Sequence, residues 1–426
     1  MFILKPLIHR IAYSIALCLT TACFHPAQAR VINLPEEYDS IQEAVEAASN
    51  GDVIQINQHD VVDLLENDLS KNLLERFKGI VITNKDLTII GTIPNEKVRI
   101  TGSGTIHSGS YSKRSPTSED NAFVVENSHV EIKNLLFYSP SINCSHMNTY
   151  MAPIQVVSGK LNLDNVHITG IFKVRGNIEI KNSVIDSNSY RHTYHPYRNL
   201  RDKIDTSAIH VYQNDSPDIR ISDSEIIHDI DIGARAITFE KILNAKVHIE
   251  RSCIQSGFLT CGHFSESVCD RSTEKDKGLA GILITDCSNV VFDMHESAII
   301  GGDKPFQMVK KTRKKIPGGP GIEIINSQDI TIRNGECIGG DGASGQMGIN
   351  IDENPQLPVD SGDGGYGIFA TNSSVTLSNV KAIGGQGGVG DPSKDIKSGE
   401  DGLPIFQDEN TTIVYDSQVN NWEIFQ

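Results

Sequence analysis

Between Asp186 and Asp205 the sequence reads DSNSYRHTYHPYRNLRDKID, a concentration of proton-moving and anion-gripping side chains found nowhere else in the chain. Tyr190, Tyr194 and Tyr197 offer flat faces for stacking on sugar rings. Arg191, Arg198, Arg201 and Lys203 can hold a carboxylate or sulfate, the arginines through two-point hydrogen bonds. His192, His195 and Tyr194 are the candidates for general base or acid. The same arginines could instead pair with Asp186, Asp202 and Asp205 in a loop that only packs. A second basic island, KPFQMVKKTRKK from Lys304 to Lys315, adds Lys310, Lys311 and Arg313 to the candidate binding residues, although such a run is ordinarily a solvated loop. If the two islands share one rim, a positive groove crosses a negative body and draws in anionic chains.

Two further groups could do chemistry. Asp341, Asp352, Asp360 and Asp363 lie in glycine-rich segments and could bind calcium, which takes six to eight oxygens. The strict nonapeptide calcium signature is not met, and flexible or self-stacking glycine turns are the rival account. Cys261 and Cys269 flank GHFSESV and are the first candidates for a disulfide. With His263 between them they also suggest a metal site, but the spacing fits no zinc pattern.

These segments need a scaffold, and the chain supplies one by repetition. NIEIKNSVI places Ile178 and Ile180 in alternation, Asn182 two later and Ile185 three after that; HVEIKNLLF, KLNLDNVHI, DIRISDSEI and KVHIERSCI follow the same frame, among nine copies. Each copy is preceded by a second short alternating run, such as PIQVVSG, IFKVRGN or AIHVYQND. Two strands, a polar corner, a turn residue and a third apolar position describe one coil of a parallel β-solenoid. Asn134, Asn165, Asn182, Asn334 and Asn379 should then share one bend, because Asn tolerates left-handed backbone. The variable segments all enter after the third apolar position, so they should emerge from one rim, with the two basic islands three coils or roughly 14 Å apart. Function on such a scaffold is expected in the loops rather than in the regular coils.

Ahead of the repeats, LPEEYDSIQEAVEAASNGDVIQI carries one helix, from about Ser40 to Ser49, with Ile41, Ala44, Val45 and Ala48 on one face and Gly51 as a stop. A solenoid exposes its core at its end, so this helix is expected to be an N-terminal cap. That opening, followed by NKDLTIIGTIPNEKVRITGSG, resembles the first coils of the right-handed parallel β-helix superfamily of pectate lyases, pectin esterases, polygalacturonases, alginate epimerases and periplasmic copper-assembly proteins. The resemblance implies an all-β, single-domain fold and leans toward carbohydrate. The active-site strings of polygalacturonases, pectin esterases and alginate epimerases are missing, so no catalytic residue carries over by position.

Residues 1–29 have the make-up of a secretory signal peptide: Lys5 and Arg10, an apolar run from Ile11 to Phe24, and the triplet Ala27-Gln28-Ala29. Lipoprotein anchoring at Cys23 is the alternative, although Thr20 stands where such signals usually have Leu. The apolar run is too short for a membrane span. The expected domain is therefore an exported β-helix over residues 30–426, with no transmembrane segment. The chain has 38 basic and 54 acidic residues, and the leader takes two basic residues and no acid away, which disfavours nucleic acid and anionic membranes. Six cysteines remain after the leader, and in an exported chain an even number favours disulfides. Three function classes follow: an enzyme acting on an acidic polysaccharide as a lyase or epimerase, a non-catalytic adhesin-like module that binds a surface glycan, and periplasmic metal handling by scattered histidines such as His146 and His263.

Overall fold

The computed structural model describes residues 29–58, 60–61, 80–93, 96–101, 123–138, 154–169, 172–186, 207–227, 235–257, 278–303, 317–344, 346–347 and 358–416. One coil shows the plan. Ile209–Asn214 runs along one face, the chain turns a corner, Asp218–Ser222 runs along a second, Asp223 bends the chain at φ 49°, and Glu225–Ile227 forms the third face. The chain then re-enters the first face one layer on, at Ile237–Ile242, pairing in parallel with Ile209–Asn214. Ten such first-face strands, from Ile80–Thr83 to Ile405–Gln407, form one sheet, and the other two faces merge into a sheet of twenty. Every pairing in these two sheets is parallel, and crossovers between parallel strands are right-handed almost without exception.

Alternation explains the core. In the ten-stranded sheet Phe123, Ile154, Phe172, Ile209, Ile237 and Ile282 stand in register and are buried, as are Val125, Val156, Val174, Val211, Phe239 and Ile284 two residues along. Burying a side chain of this kind is worth about 1.5–3 kcal/mol. The five asparagines named above do share a bend: Asn134, Asn165, Asn182, Asn334 and Asn379 have φ between 50° and 59°. Their amides tie successive coils, with Asn165 Nδ2 donating to Asn134 Oδ1 at 2.9 Å and Asn379 Nδ2 to Asn334 Oδ1 at 3.1 Å.

Beside the asparagines runs a second ladder that the repeat frame does not announce. The backbone N–H groups of Ser183, Ser224 and Ser252 donate to the hydroxyls of Ser224, Ser252 and Ser297, each at 3.1 Å. Each hydroxyl in turn donates to the carbonyl two residues back, at 2.6–2.8 Å. At another corner Ser327 and Ser373 repeat the device, and Cys287 occupies a position of the same kind, its N–H donating to Ser327 Oγ at 3.1 Å and its thiol to the Thr285 carbonyl at 3.2 Å. Serine suits a buried corner because one hydroxyl can accept from the next coil and donate to its own.

This corrects the cysteine expectation. Cys253, Cys287 and Cys337 carry free thiols. Cys287 keeps its ladder place, Cys337 is a core residue with 0% exposure, and Cys253 is half-buried. Burial pushes the Cys287 thiol up to about 11, and raises those of Cys337 and Cys253 as well. Cys261 and Cys269 lie outside the described residues.

The helix spans Ile41–Ala47, with Ser40 accepting from the Glu43 N–H at 3.2 Å as N-cap. Ile41, Ala44 and Val45 are buried in the same core as the first coils, while Gln42 Oε1 accepts from the Val81 N–H at 2.9 Å. No described helix is long and apolar enough to cross a membrane.

Candidate functional site

The twenty-stranded sheet turns a conventional surface to water. Its outward side chains pair with neighbours, as in Lys160–Glu179, Lys133–Glu131 and Arg220–Asp218, each at 2.9 Å. Exposed pairs of this kind contribute little to stability.

The outer face of the ten-stranded sheet differs. Its outward row runs Gln155, Lys173, His210, Thr238, Leu283, Glu323, Phe369 and Phe406, one residue per coil. These side chains point away from the core, yet His210 is only 9% exposed, Thr238 2% and Glu323 1%. A buried carboxylate demands a partner, and Glu323 has Arg235 Nη2 at 3.6 Å, reaching over two coils. Ser207 and Thr238 share a hydrogen bond between hydroxyls on adjacent coils.

Toward the N-terminal end the face becomes basic and aromatic. His210 Nε2 lies 3.2 Å from Glu240 Oε2, and the imidazole packs on Tyr212 with ring centres 5.0 Å apart. Arg175 sits 5.7 Å over the Tyr212 ring, a cation–π arrangement. The Tyr212 hydroxyl accepts from Gln155 Nε2 at 3.4 Å. The Lys241 ammonium first, and His210 second, hold the Glu240 carboxyl below its usual range, so it is ionised and fixes the imidazole. Lys173 points outward from the strand Phe172–Val174, Arg175 is exposed at the bend just after it, and neither has an acidic partner among the described residues. Two cations with no acidic partner among the described residues, a tyrosine face and a carboxylate-oriented histidine can hold an anionic sugar and take part in proton exchange with it.

The segments singled out from sequence are joined in the chain to strands of this sheet. Residues 187–206 join Val184–Asp186 to the strand that carries His210 and Tyr212. Residues 304–316 join Ala298–Ile300 to the strand that carries Glu323, three coils further on. Tyr190, Arg191, His192, Tyr194, His195, Tyr197, Arg198, Arg201, Lys203, Lys310, Lys311 and Arg313 themselves lie outside the described residues. Sequence reading passed over Lys173, Arg175, His210 and Tyr212, although IFKVRGN and AIHVYQND contain them. The available signal was a strand with one basic outward residue, Lys173, and a second, Arg175, at the bend after it, followed one coil on by a strand with His210 and Tyr212.

The calcium candidates have other work. Asp341 Oδ1 accepts from the Gln386 N–H at 2.8 Å, Asp360 Oδ1 from Lys397 at 2.9 Å and Asp363 Oδ1 from Glu400 at 2.9 Å. Each carboxylate thus staples one glycine-rich arm to the next, and among the described residues no group of three His, Cys, Asp or Glu side chains could hold a metal. Asp352 lies outside the described residues. The arms themselves stack through backbone: the N–H groups of Gly302, Gly319, Gly340, Gly365, Gly385 and Gly402 donate in turn to the carbonyls of Leu279, Gly302, Gly319, Gly340, Gly365 and Gly385. Glycine recurs every third residue, as at 384, 387 and 390 and at 399 and 402, the period of a polyproline-II-like helix. A Cβ at Gly318 would stand 1.8 Å from the Gly340 carbonyl oxygen, so no other residue fits there.

No family model and no curated protein matches this chain. Among solved structures it is similar to tailspike protein 3 of bacteriophage CBA120, with 12% identity over 89% of this chain and 56% of that one at a TM-score of 0.31, so it spans little more than half of the tailspike. It is also similar to the A-module of a mannuronan C-5 epimerase of Azotobacter vinelandii, with 10% identity over 88% and 93% of the two chains and a TM-score of 0.32. A third similarity is to the catalytic domain of an alpha-1,3-glucanase in complex with nigerose, with 11% identity over 93% and 70% and a TM-score of 0.25. Likenesses this low carry no argument here. By its own two parallel sheets, shared bends and stacked core, the chain is a right-handed parallel β-helix.

Proposed function

We propose that the outer face of the ten-stranded sheet binds an acidic polysaccharide lying along the helix axis. The observation that carries this is Lys173 and Arg175, outward and without an acidic partner among the described residues, beside Tyr212 and His210, in a chain of net charge −16. Unneutralised cations on an acidic body create a local positive field that favours anions. Residues 187–206 enter the strand that carries His210 and Tyr212, and the reading assigns to the same ligand the arginines, tyrosines and histidines of that segment. In a lyase reading, Lys173, Arg175 and the arginines of 187–206 neutralise a uronate carboxylate, while His192, His195 or Tyr194 takes the C5 proton. The C5–H electrons then form the C4–C5 double bond as the C4–O bond breaks, and the leaving oxygen collects a proton. Returning the proton to C5 from the opposite side would give epimerisation instead. The second reading, a non-catalytic adhesin-like module, is favoured by the absence of the superfamily's catalytic strings from the sequence.

We place this activity in an exported protein, a single domain over residues 30–426, with helix Ile41–Ala47 as the lid of its first coil. Burial of Ile41, Ala44 and Val45 against that coil supports the lid. The experiment is titration of the purified protein with polyuronates, followed by ultraviolet absorbance for the unsaturated product. Binding with new absorbance supports a lyase, and binding without it leaves the epimerase, to be read by nuclear magnetic resonance of the sugar, or the adhesin-like module. Absence of binding to every polyuronate tried would overturn the proposal.

A further inference from the structure

The outward row of the ten-stranded sheet does not end at the buried Glu323. It continues through Phe369 and Phe406, whose rings lie 4.7 Å apart and parallel within 6°. Tyr366 leans on both, 5.6 Å from Phe369 and 5.2 Å from Phe406, tilted 38° and 41°. None of the three belongs to the core, whose inward places on these strands are taken by Ile368, Ala370 and Ile405; each ring is only half-buried. The backbone forces Tyr366 onto this face. Its neighbours Gly365 and Gly367 are wedged in the glycine arms, where an added Cβ would stand 2.1 Å from the Gly319 carbonyl oxygen and 2.6 Å from that of Pro404. Both neighbours are thus held against the backbone of adjacent coils, and the tyrosine side chain lies over the sheet against Phe369 and Phe406.

We propose that Tyr366, Phe369 and Phe406 form a second subsite, which stacks on the apolar face of a sugar ring, at the opposite end of the groove from Lys173 and Arg175. This deepens the polysaccharide reading and rests on it. Aromatic faces carry partial negative charge and attract the polarised C–H bonds that one face of a pyranose presents, without any need for ionic groups. From the Lys173 strand to the Phe369 strand there are five strand steps, and six to Phe406, or roughly 24 to 29 Å at about 4.8 Å per coil. A ligand that uses both ends is therefore a chain of several sugars, charged where it meets the basic end and held by its ring faces where it meets the aromatic one.

The test is calorimetric titration of the full protein with oligouronates from alginate and from polygalacturonate, in lengths of about three and about eight sugars, below and above the span of six coils. Tyr366→Ala and Phe406→Leu should weaken the long oligomer by about three- to tenfold and leave the short one unchanged. Tyr366→Phe should bind the long oligomer like the unaltered protein, and Lys173→Ala should weaken both lengths. Long-oligomer affinity that survives Tyr366→Ala, with or without a lower melting temperature, overturns the subsite and leaves the polysaccharide reading standing. Equal losses at both lengths also overturn it, as a general effect on the fold. Failure of the unaltered protein to bind any oligomer removes the parent reading and the subsite with it.

Discussion

Lys173 and Arg175 should each matter to binding by about 1–3 kcal/mol, the range for charge-assisted contacts, when changed to Ala. Titration at rising salt should shrink that difference, since part of it is long-range attraction; an equal loss at all ionic strengths would argue against a charged ligand. The cysteines give a sharper residue-scale contrast. Cys287→Ser should change stability by less than about 1 kcal/mol, because a hydroxyl in that corner repeats what Ser252 and Ser297 already do. Cys337→Ser should cost about 1–3 kcal/mol, since it buries a hydroxyl among apolar neighbours. Urea unfolding of the two variants decides it, and equal effects would mean the corner ladder is not what holds Cys287. The raised Cys287 pKa also carries a sign. The folded state favours the neutral thiol, so its contribution is complete below the unfolded value near 9 and is lost as pH climbs toward about 11. Stability measured from pH 8 to 11 should fall less steeply in Cys287→Ser than in the unaltered protein. In sequence Cys287 looks like any other cysteine; only the neighbouring coils reveal that it stands in a serine's place.

At the scale of elements, strands and bends were legible because each rests on a local rule. Ile178, Ile180 and Ile185 alternate with polar residues inside one nonapeptide, and Asn182 marks its bend by its own backbone preference. The serine ladder was not legible, since Ser183 reads as an ordinary turn residue until Ser224 is laid beneath it. The glycine arms were legible only as composition: Gly318 and Gly340 are 22 residues apart and acquire meaning through a contact between successive coils. Gly318→Ala should therefore cost about 2–4 kcal/mol, a range set by overpacking against backbone that cannot yield. Thermal denaturation would show it, and an unchanged midpoint would mean the arms can part without penalty. Removal of residues 40–49 should cost several kcal/mol in lost burial of Ile41 and Val45, about 1.5–3 kcal/mol for each. It should also open the first strand to association, and light scattering that still shows a monomer of unchanged melting temperature would refute the lid.

At the scale of the molecule, the candidate binding face was half legible. Residues 187–206 and 304–316 drew attention by their charge, and their attachment three coils apart on one edge follows from the repeat alone. The sheet between those attachments was not legible, because outward positions in a solenoid are expected to be wet, and only the assembled coils show Glu323 at 1% exposure beside Arg235. Arg235→Ala should destabilise the protein by removing a cation that faces a buried carboxylate, and Glu323→Gln in the same background should recover part of the loss; a double variant no better than the single would show that the charge is not what matters. The relay of glycine amides from Gly302 to Gly402 has one further consequence, for how order in this protein is seen. Circular dichroism would count those arms as irregular chain, since they have neither helix nor strand dihedral signature. Deuterium uptake would rank them with the sheets: six successive N–H groups, each donating to the carbonyl of the preceding arm, should trade their protons slowly, when the stacked arms part.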